Sequence, residues 1–385
     1  MKKLFTIGMA ALLPIVLTLP AAAKVKIGGI VFTDAYYLDR SKENAHFYYG
    51  SDDNVSYTNT RIEVPTHSRF YVQWTNEDNV GMHIELGFGN GNTVGLRKAY
   101  GWWDVNSMFQ LMAGKSTTPF SPLYPYQLLG THSGSHNIGG KGYGEFYSGR
   151  FAQVRGTFKF GKNARLVIAL VDPNGKAKKV GQMGPWNDYQ TNTKIPRIDI
   201  GVPIYVGPAK FYPTFLYQHR TVDNTGPGNA DNDLDTYIAS LGVKAGFGPF
   251  VIAAEGNYGN NWANTRGQIG FSPPAALAHA VLKNNGQIND ANTYGFWFDI
   301  SYKFGLITPH LIYGQMKTKN ENSAGAEMEA KSQMWGVSIP IDLAKGFRIR
   351  PELMWYDDGD TSTAGSTSVD NGKYGIYGLK FEIRF

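Results

Sequence analysis

The sequence predicts an all-β chain, a transmembrane antiparallel β-barrel of about sixteen strands with short turns at one end and long loops at the other. Three observations predict it. Many segments alternate apolar and polar side chains over roughly the 9 to 11 residues that a tilted bilayer crossing needs. Tight glycine or alanine turns alternate with long polar stretches between those segments. The chain opens with an export leader and has no apolar run beyond it long enough to span as a helix.

The clearest segment is the last, where Tyr377, Leu379, Phe381, Ile383 and Phe385 alternate with Gly378, Lys380, Glu382 and Arg384. One face suits lipid and the other water. Phe296, Phe298, Ile300, Tyr302 and Phe304 likewise oppose Trp297, Asp299, Ser301 and Lys303. Ile198, Ile200, Val202, Ile204 and Val206 oppose Arg197, Asp199 and Tyr205, and Phe347, Ile349, Leu353 and Trp355 oppose Arg348, Arg350 and Glu352. The same reading gives strands near 25–38, 60–75, 80–89, 96–105, 109–117, 149–160, 165–172, 195–206, 210–221, 235–247, 249–259, 293–304, 307–318, 332–343, 347–358 and 374–385. Strands of a soluble sandwich average about 5 to 6 residues, so length favours the membrane.

Gly161 to Ala164, Gly207 to Ala209, Gly248, Gly305 and Ala344 to Gly346 read as tight turns. The stretches 40–58, 173–194, 222–234, 260–292, 319–331 and 359–373 read as long loops, with 272–283 able to form a short helix in one of them. That asymmetry fits periplasmic and extracellular ends. Pro203, Pro213, Pro309, Pro340 and Pro351 fall inside proposed strands, where each removes a ladder donor, so bulges or shifted boundaries are expected there.

Lys2 and Lys3, the apolar stretch Leu4 to Leu19 and the run Ala21, Ala22, Ala23 form a secretory signal peptide over 1–23, cleaved after Ala23. Residues 24–385 then form one barrel domain in the bacterial outer membrane, surrounded by lipid and lipopolysaccharide. Mean hydropathy is only −0.30 because alternate residues face water. Gly 46, Tyr 23, Phe 22 and Trp 8 suit turn-bounded strands with aromatic girdles. The absence of cysteine excludes a lipoprotein anchor or covalent haem on this chain. The isoelectric point near 9.1 comes from dispersed basic residues without a recognition motif, so a nucleic-acid partner is not expected.

One connection differs from the rest, residues 118–148 between the fifth and sixth proposed strands. A wide barrel would otherwise pass large solutes, and a loop folded inward narrows it. The stretch Leu96-Arg97-Lys98-Ala99-Tyr100-Gly101, then Phe109 to Lys115, then Thr118-Pro119-Phe120, resembles the general bacterial porins. In that family an Arg-x-Ala-aromatic strand and a strand ending in Gly-Arg or Gly-Lys lead into the constriction loop. Ser68-Arg69-Phe70, Gly149-Arg150-Phe151 and the terminal Phe385 also look like the family's pattern. The resemblance implies a sixteen-stranded homotrimeric barrel through which small hydrophilic solutes and ions diffuse past an arginine cluster, with no enzymatic activity and no cofactor.

Carried onto this chain, the cluster is Arg69, Arg97 and Arg150. Parity sets Arg69 opposite Phe70, Val72 and Trp74. It sets Arg97 opposite Tyr100 and Trp102, with Lys98 then snorkelling near an interface. Gln153, Arg155, Thr157 and Lys159 are the polar phase of the sixth strand, so either a bulge brings Arg150 inside or Arg155 is the lumenal residue. The chain departs from the family at the loop, where 118–144 holds no Asp or Glu and the Pro-Glu-Phe-Gly-Gly motif is missing. Tyr124, Tyr126, His132, His136, Asn137 and Lys141 stand there, with Glu145 the only acid before the sixth strand. Arginines without opposing carboxylates favour anions, and Asp34, Asp199, Asp299 or Glu352 on other strands would oppose that.

Other readings rank lower. His67-Ser68 points to opposite faces, and the His132 to His136 run is a polar loop sequence without a third metal ligand. Asp231 to Asp235 and Asp357 to Asp360 lack EF-hand spacing and read as solvated loops. The alternative functions are a conduit sheath, an adhesin or receptor barrel, and a substrate-selective channel with a lumenal file of Tyr124, Tyr126, Trp297 and Tyr356.

Overall fold

The computed structural model describes residues 24–49, 56–89, 93–125, 129, 140–173, 191–223, 231–265, 267 and 269–385. The signal-peptide reading, Tyr126, His132, His136 and Asn137 therefore lie outside the described residues.

A closed antiparallel barrel of 16 strands is formed. In chain order these are β1 (Lys24–Arg40), β2 (Tyr57–Glu63 continuing as Ser68–Thr75), β3 (Val80–Gly89), β4 (Thr93–Asp104), β5 (Phe109–Thr117) and β6 (Arg150–Phe160). Next come β7 (Ala164–Val171), β8 (Thr191–Asn192, Arg197–Gly201 and Ile204–Val206), β9 (Ala209–Val222), β10 (Asn232–Phe247) and β11 (Phe250–Asn260). The circuit is completed by β12 (Asn292–Tyr302), β13 (His310–Glu321), β14 (Glu327–Ser338 and Ile341–Ala344), β15 (Phe347–Asp357 and Asp360–Thr363) and β16 (Lys373–Arg384). Neighbours in sequence pair antiparallel throughout, and β16 closes on β1 from Ile30↔Arg384 to Arg40↔Tyr374.

The alternation that predicts the strands sets their orientation. On β16, Leu379, Ile383 and Phe385 are exposed outside, while Lys380 and Glu382 are buried inside. On β12, Tyr294, Phe296 and Tyr302 face out, and Trp297, Asp299 and Ser301 face in. Trp103, Phe160, Phe247 and Tyr302 stand exposed at strand ends beside the short turns, where an aromatic girdle belongs.

The prolines cluster where the ladder is already interrupted. Val202 donates to the Pro213 carbonyl at 2.9 Å across the gap in β8, which also contains Pro203. Ile339 donates to Pro351 at 2.9 Å across the gap in β14, which contains Pro340, and Thr308 donates to Pro340 at 2.9 Å beside Pro309. Facing prolines at one break leave fewer neighbours without a donor than scattered prolines would. Two long-loop readings need correction. Strands β13 and β14 run on to Glu321 and from Glu327, and β15 resumes at Asp360–Thr363, so most of 319–331 and part of 359–373 are ladder. Helix α1 (Lys42–Tyr49) fills much of the first loop.

The inner wall of β1, β15 and β16 is held by buried ion pairs. Lys380 lies 3.3 Å from Asp34, and Arg350 lies 3.0 Å from Glu382 and 3.9 Å from Glu352. Breaking one such pair leaves an uncompensated buried charge, which costs about 3–5 kcal/mol.

The described parts of the connection, 118–125, 129 and 140–148, pack inside against β11, β14 and β15. The Ser121 hydroxyl reaches Glu255 of β11 at 2.5 Å, and the Leu129 amide reaches Glu352 of β15 at 3.1 Å. Tyr143 donates to Asp358 at 2.7 Å, and the Ser332 hydroxyl of β14 donates to the Gly142 carbonyl at 2.5 Å. Glycines make the seat. A Cβ at Gly314 would overlap the Tyr143 carbonyl, one at Gly295 would crowd Gly144, and Gly144 itself sits at φ +107 against the Phe296 carbonyl.

The 260–292 loop also enters the lumen, which its reading as an outer loop did not anticipate. Trp262, in a 3-10 turn (Trp262–Thr265), packs edge-on against Phe146 at 5.4 Å, and Phe146 packs edge-on against Phe120 at 5.2 Å. Only α2 (Pro273–Leu277) of the expected 272–283 helix forms. Ala275 and Ala278 join the inward-facing Leu216, Ile238 and Met316 in the same apolar cluster, which buries part of a loop rich in Ala.

Gly314→Val is expected to leave the barrel closed, with heat-modifiable migration retained, but to unseat the loop from β12 and β13. Single-channel conductance then rises above that of the parent protein; an unchanged conductance would show that the loop is held without this contact.

Candidate functional site

Beside the seated loop, β2, β3, β4 and the start of β6 carry a basic cluster around one carboxylate. Glu85 of β3 accepts from Arg97 Nε at 2.7 Å and lies 3.8 Å from Arg69 Nε and 3.8 Å from His83 Nε2. Arg97 also donates to the Thr66 carbonyl at 2.9 Å, and Arg69 to the His67 carbonyl at 3.0 Å. Lys98 and Arg150 lie within electrostatic reach of Glu85, Arg69 and Arg97.

A β-bulge builds this arrangement. Glu85 pairs with Lys98, whereas Leu86 pairs with Leu96, so Arg97 is the extra residue on β4. Both Arg97 and Lys98 consequently turn toward Glu85. The expectation that Lys98 snorkels on the lipid side is corrected by this bulge. The same shift carries Tyr100 and Trp102 inside: they pair with His83 and Gly81, on the lumenal phase of β3. Exposed Val94, Leu96 and Trp103 hold the outer phase of β4.

Arg150 reaches the cluster by another route. It is the first residue of β6, directly after Gly149 at φ +93, and its guanidinium lies 5.5 Å from the Tyr147 ring centroid. Arg155 faces in as well, on the phase of Gln153 and Thr157, and donates to the Thr117 carbonyl at 3.4 Å. It lines a separate cavity of about 460 Å³ beneath the loop root, with Lys159, Arg165, Asp104 and Tyr212. Sequence parity left Arg150 and Arg155 as alternatives, and the structure turns both inward, to different places.

On the loop side, Tyr124 is 50% exposed and lies within electrostatic reach of Arg69. Lys141 and Glu145 do not face open space. Their backbones meet in an isolated parallel β-bridge within the loop, and the residues are 1% and 5% exposed. Burial pushes the Glu145 carboxyl up and the Lys141 ammonium down, each countered in part by the charge of the other. Trp297 and Tyr356 are buried behind the loop, which removes two members of the expected lumenal aromatic file. The Ser68 hydroxyl donates to the Phe32 carbonyl at 3.3 Å and His67 packs on the Phe32 ring at 4.1 Å, so that pair belongs to the wall.

The acids named as counterweights are held within the wall. Asp199 pairs with Arg197 at 2.7 Å and Asp299 with His310 at 2.7 Å, alongside Asp34 with Lys380 and Glu352 with Arg350. Glu85 was missed by the sequence reading, although the alternation with Met82, Ile84 and Leu86 already sets it on the inner face.

A closed sixteen-stranded barrel with one loop seated across its lumen has the fold of the outer-membrane porins. No family model matches the chain, and no curated protein matches it. Among solved structures it is similar to the outer membrane channel DcaP of Acinetobacter baumannii, at 17% identity and a TM-score of 0.70 over 95% of this chain and 99% of that one. It is also similar to the anion-selective porin from Comamonas acidovorans, at 12% identity and a TM-score of 0.56 over 94% of this chain and 100% of that one. The trimer form of OmpT, an outer membrane protein of Vibrio cholerae, matches at 14% identity and a TM-score of 0.57 over 94% and 100%.

The buried loop pair gives the seat a pH dependence. Because the folded state raises the Glu145 pKa, its contribution to stability is full below the ordinary carboxylate range and is lost as pH rises through the elevated value, about 7. Thermal unfolding midpoints are expected to fall between about pH 5 and about pH 7, and Glu145→Gln to flatten that limb. A midpoint that rises over this window in the parent protein would contradict the assignment.

Proposed function

We propose that the chain is an outer-membrane porin, a water-filled channel for passive diffusion of small hydrophilic solutes and ions, with a mild preference for anions. The observation that carries the selectivity is the charge balance at the narrowing: Arg69, Arg97, Lys98 and Arg150 surround Glu85, and the loop beside them supplies Tyr124 rather than an acid. A confined surplus of fixed positive charge concentrates anions and repels cations. Arg69, Arg97 and Arg150 are the constriction cations in this reading, with Arg155 in the vestibule beneath. Lys141 and Glu145 hold the loop rather than select solutes.

The apolar outer belt and the likeness to outer-membrane channels support residence in the outer membrane among lipid and lipopolysaccharide. A leader at 1–23 with cleavage after Ala23 supplies the export step. The trimer form of a similar barrel supports a homotrimer. Among the described residues two inward segments pack on each other within the barrel, which favours self-narrowing over the conduit-sheath reading.

Reconstituted in a planar bilayer under a KCl gradient, the protein is expected to give a reversal potential of the sign set by chloride. Arg69→Ala with Arg97→Ala leaves Glu85 with fewer cations and lowers the chloride-to-potassium permeability ratio by about twofold or more. Cation selectivity in the parent channel, or a double variant with an unchanged ratio, would refute the reading.

A further inference from the structure

On the short-turn side of Glu85 the inner wall becomes aromatic. Tyr71 of β2 stacks on His83 of β3 at 5.7 Å, His83 stacks on Tyr100 of β4 at 5.4 Å, and Tyr100 meets Trp102 at 5.9 Å. These rings come from three neighbouring strands and share the lumenal phase with Glu85. Glycines bring the two ends of the strip close to the wall. A Cβ at Gly28 would overlap the Tyr71 ring, and one at Gly81 would overlap the Trp102 indole. The indole therefore lies over Gly81 with one face on the backbone, which leaves its other face toward the lumen.

Cations flank this strip. Lys98 and Arg97 stand toward the narrowing, and Arg155 lies within electrostatic reach of Tyr100 while lining the cavity of about 460 Å³. The carboxylates nearby are occupied: Asp104 accepts from Lys159 at 2.7 Å and Gln110 at 3.0 Å, and Glu85 from Arg97 at 2.7 Å. A neutral sugar would leave the charge of the neighbouring cations unanswered, and a cationic ring would meet like charge. A flat ring bearing a carboxylate satisfies both the aromatic faces and the cations beside them.

We infer that this wall is a subsite for aromatic carboxylates, with the ring over Trp102 and Tyr100 and the carboxylate directed to Arg155. The inference rests on the porin reading and deepens it by naming a solute class. Charge alone would not separate benzoate from cyclohexanecarboxylate, because both are monoanions of similar size. An aromatic contact adds a factor of about 2 to 10 in affinity.

The test is block of chloride current through the full barrel in planar bilayers, titrated with benzoate and with cyclohexanecarboxylate at equal ionic strength. Benzoate is expected to half-block at a concentration about fivefold lower. Trp102→Leu, checked for heat-modifiable migration, brings the two acids together, while Trp102→Phe preserves the difference. Arg155→Gln raises both half-blocking concentrations and leaves their ratio. Equal block by the two acids in the parent protein, or a ratio unmoved by Trp102→Leu, overturns the subsite. Reversal potentials from the same bilayers separate the two readings: anion preference without a benzoate advantage refutes the subsite alone, whereas cation selectivity refutes the charge reading beneath it.

Discussion

Backbone amides in hydrocarbon have no water to bond with, so a sheet that meets lipid must pair every strand, and the pairing of β16 with β1 meets that demand. The consequences reach inward. Once the outer phase of each strand is apolar, the inner phase holds the polar groups, and those groups must be satisfied by ions, by water or by other protein. On β1, β15 and β16 they are satisfied by ion pairs and by the loop, whose Leu129 amide and Tyr143 hydroxyl bond Glu352 and Asp358. The loop is thus partner to a wall that would otherwise hold buried polar groups without enough protein bonds.

That division leaves the two sides of the lumen electrically unlike. Behind the loop, Asp199, Asp299, Asp34 and Glu352 each lie beside a cation or imidazole, and the fields of such pairs largely cancel at a distance. On β2 to β4 and at the start of β6 the matching stops at Glu85, and four cations crowd one carboxylate. A solute in the gap meets the unmatched side. The bulge at Arg97 raises the local charge, since an unbroken alternation would have placed only one of Arg97 and Lys98 on the inner face.

The strands were legible in the sequence because a period of two leaves a plain trace wherever one face meets lipid, as in Phe296 to Phe304 and Tyr377 to Phe385. The inward packing of the described parts of 118–148 was legible from the position of the segment and from the family resemblance. Orientation on β4 was not: parity carries no sign of a bulge, and one extra residue reverses the faces of Tyr100 and Trp102 relative to Arg97. Nor was the burial of Lys141 against Glu145, because a loop has no period to read and its charges look solvated until tertiary packing covers them. The inward fold of the loop holding Trp262 had a weak trace, an apolar run longer than a solvated loop requires.

A loop inside the lumen and a positively charged wall beside it can be probed together, because the chain contains no cysteine and one introduced thiol reports on both. Tyr124→Cys, reconstituted in a bilayer, is exposed in turn to a sulfonate-bearing and a trimethylammonium-bearing methanethiosulfonate at equal concentration. This arrangement predicts that both reagents change the conductance and that the anionic one reacts faster, with the advantage shrinking as salt is raised. A conductance indifferent to modification, or faster reaction with the cationic reagent, would contradict it.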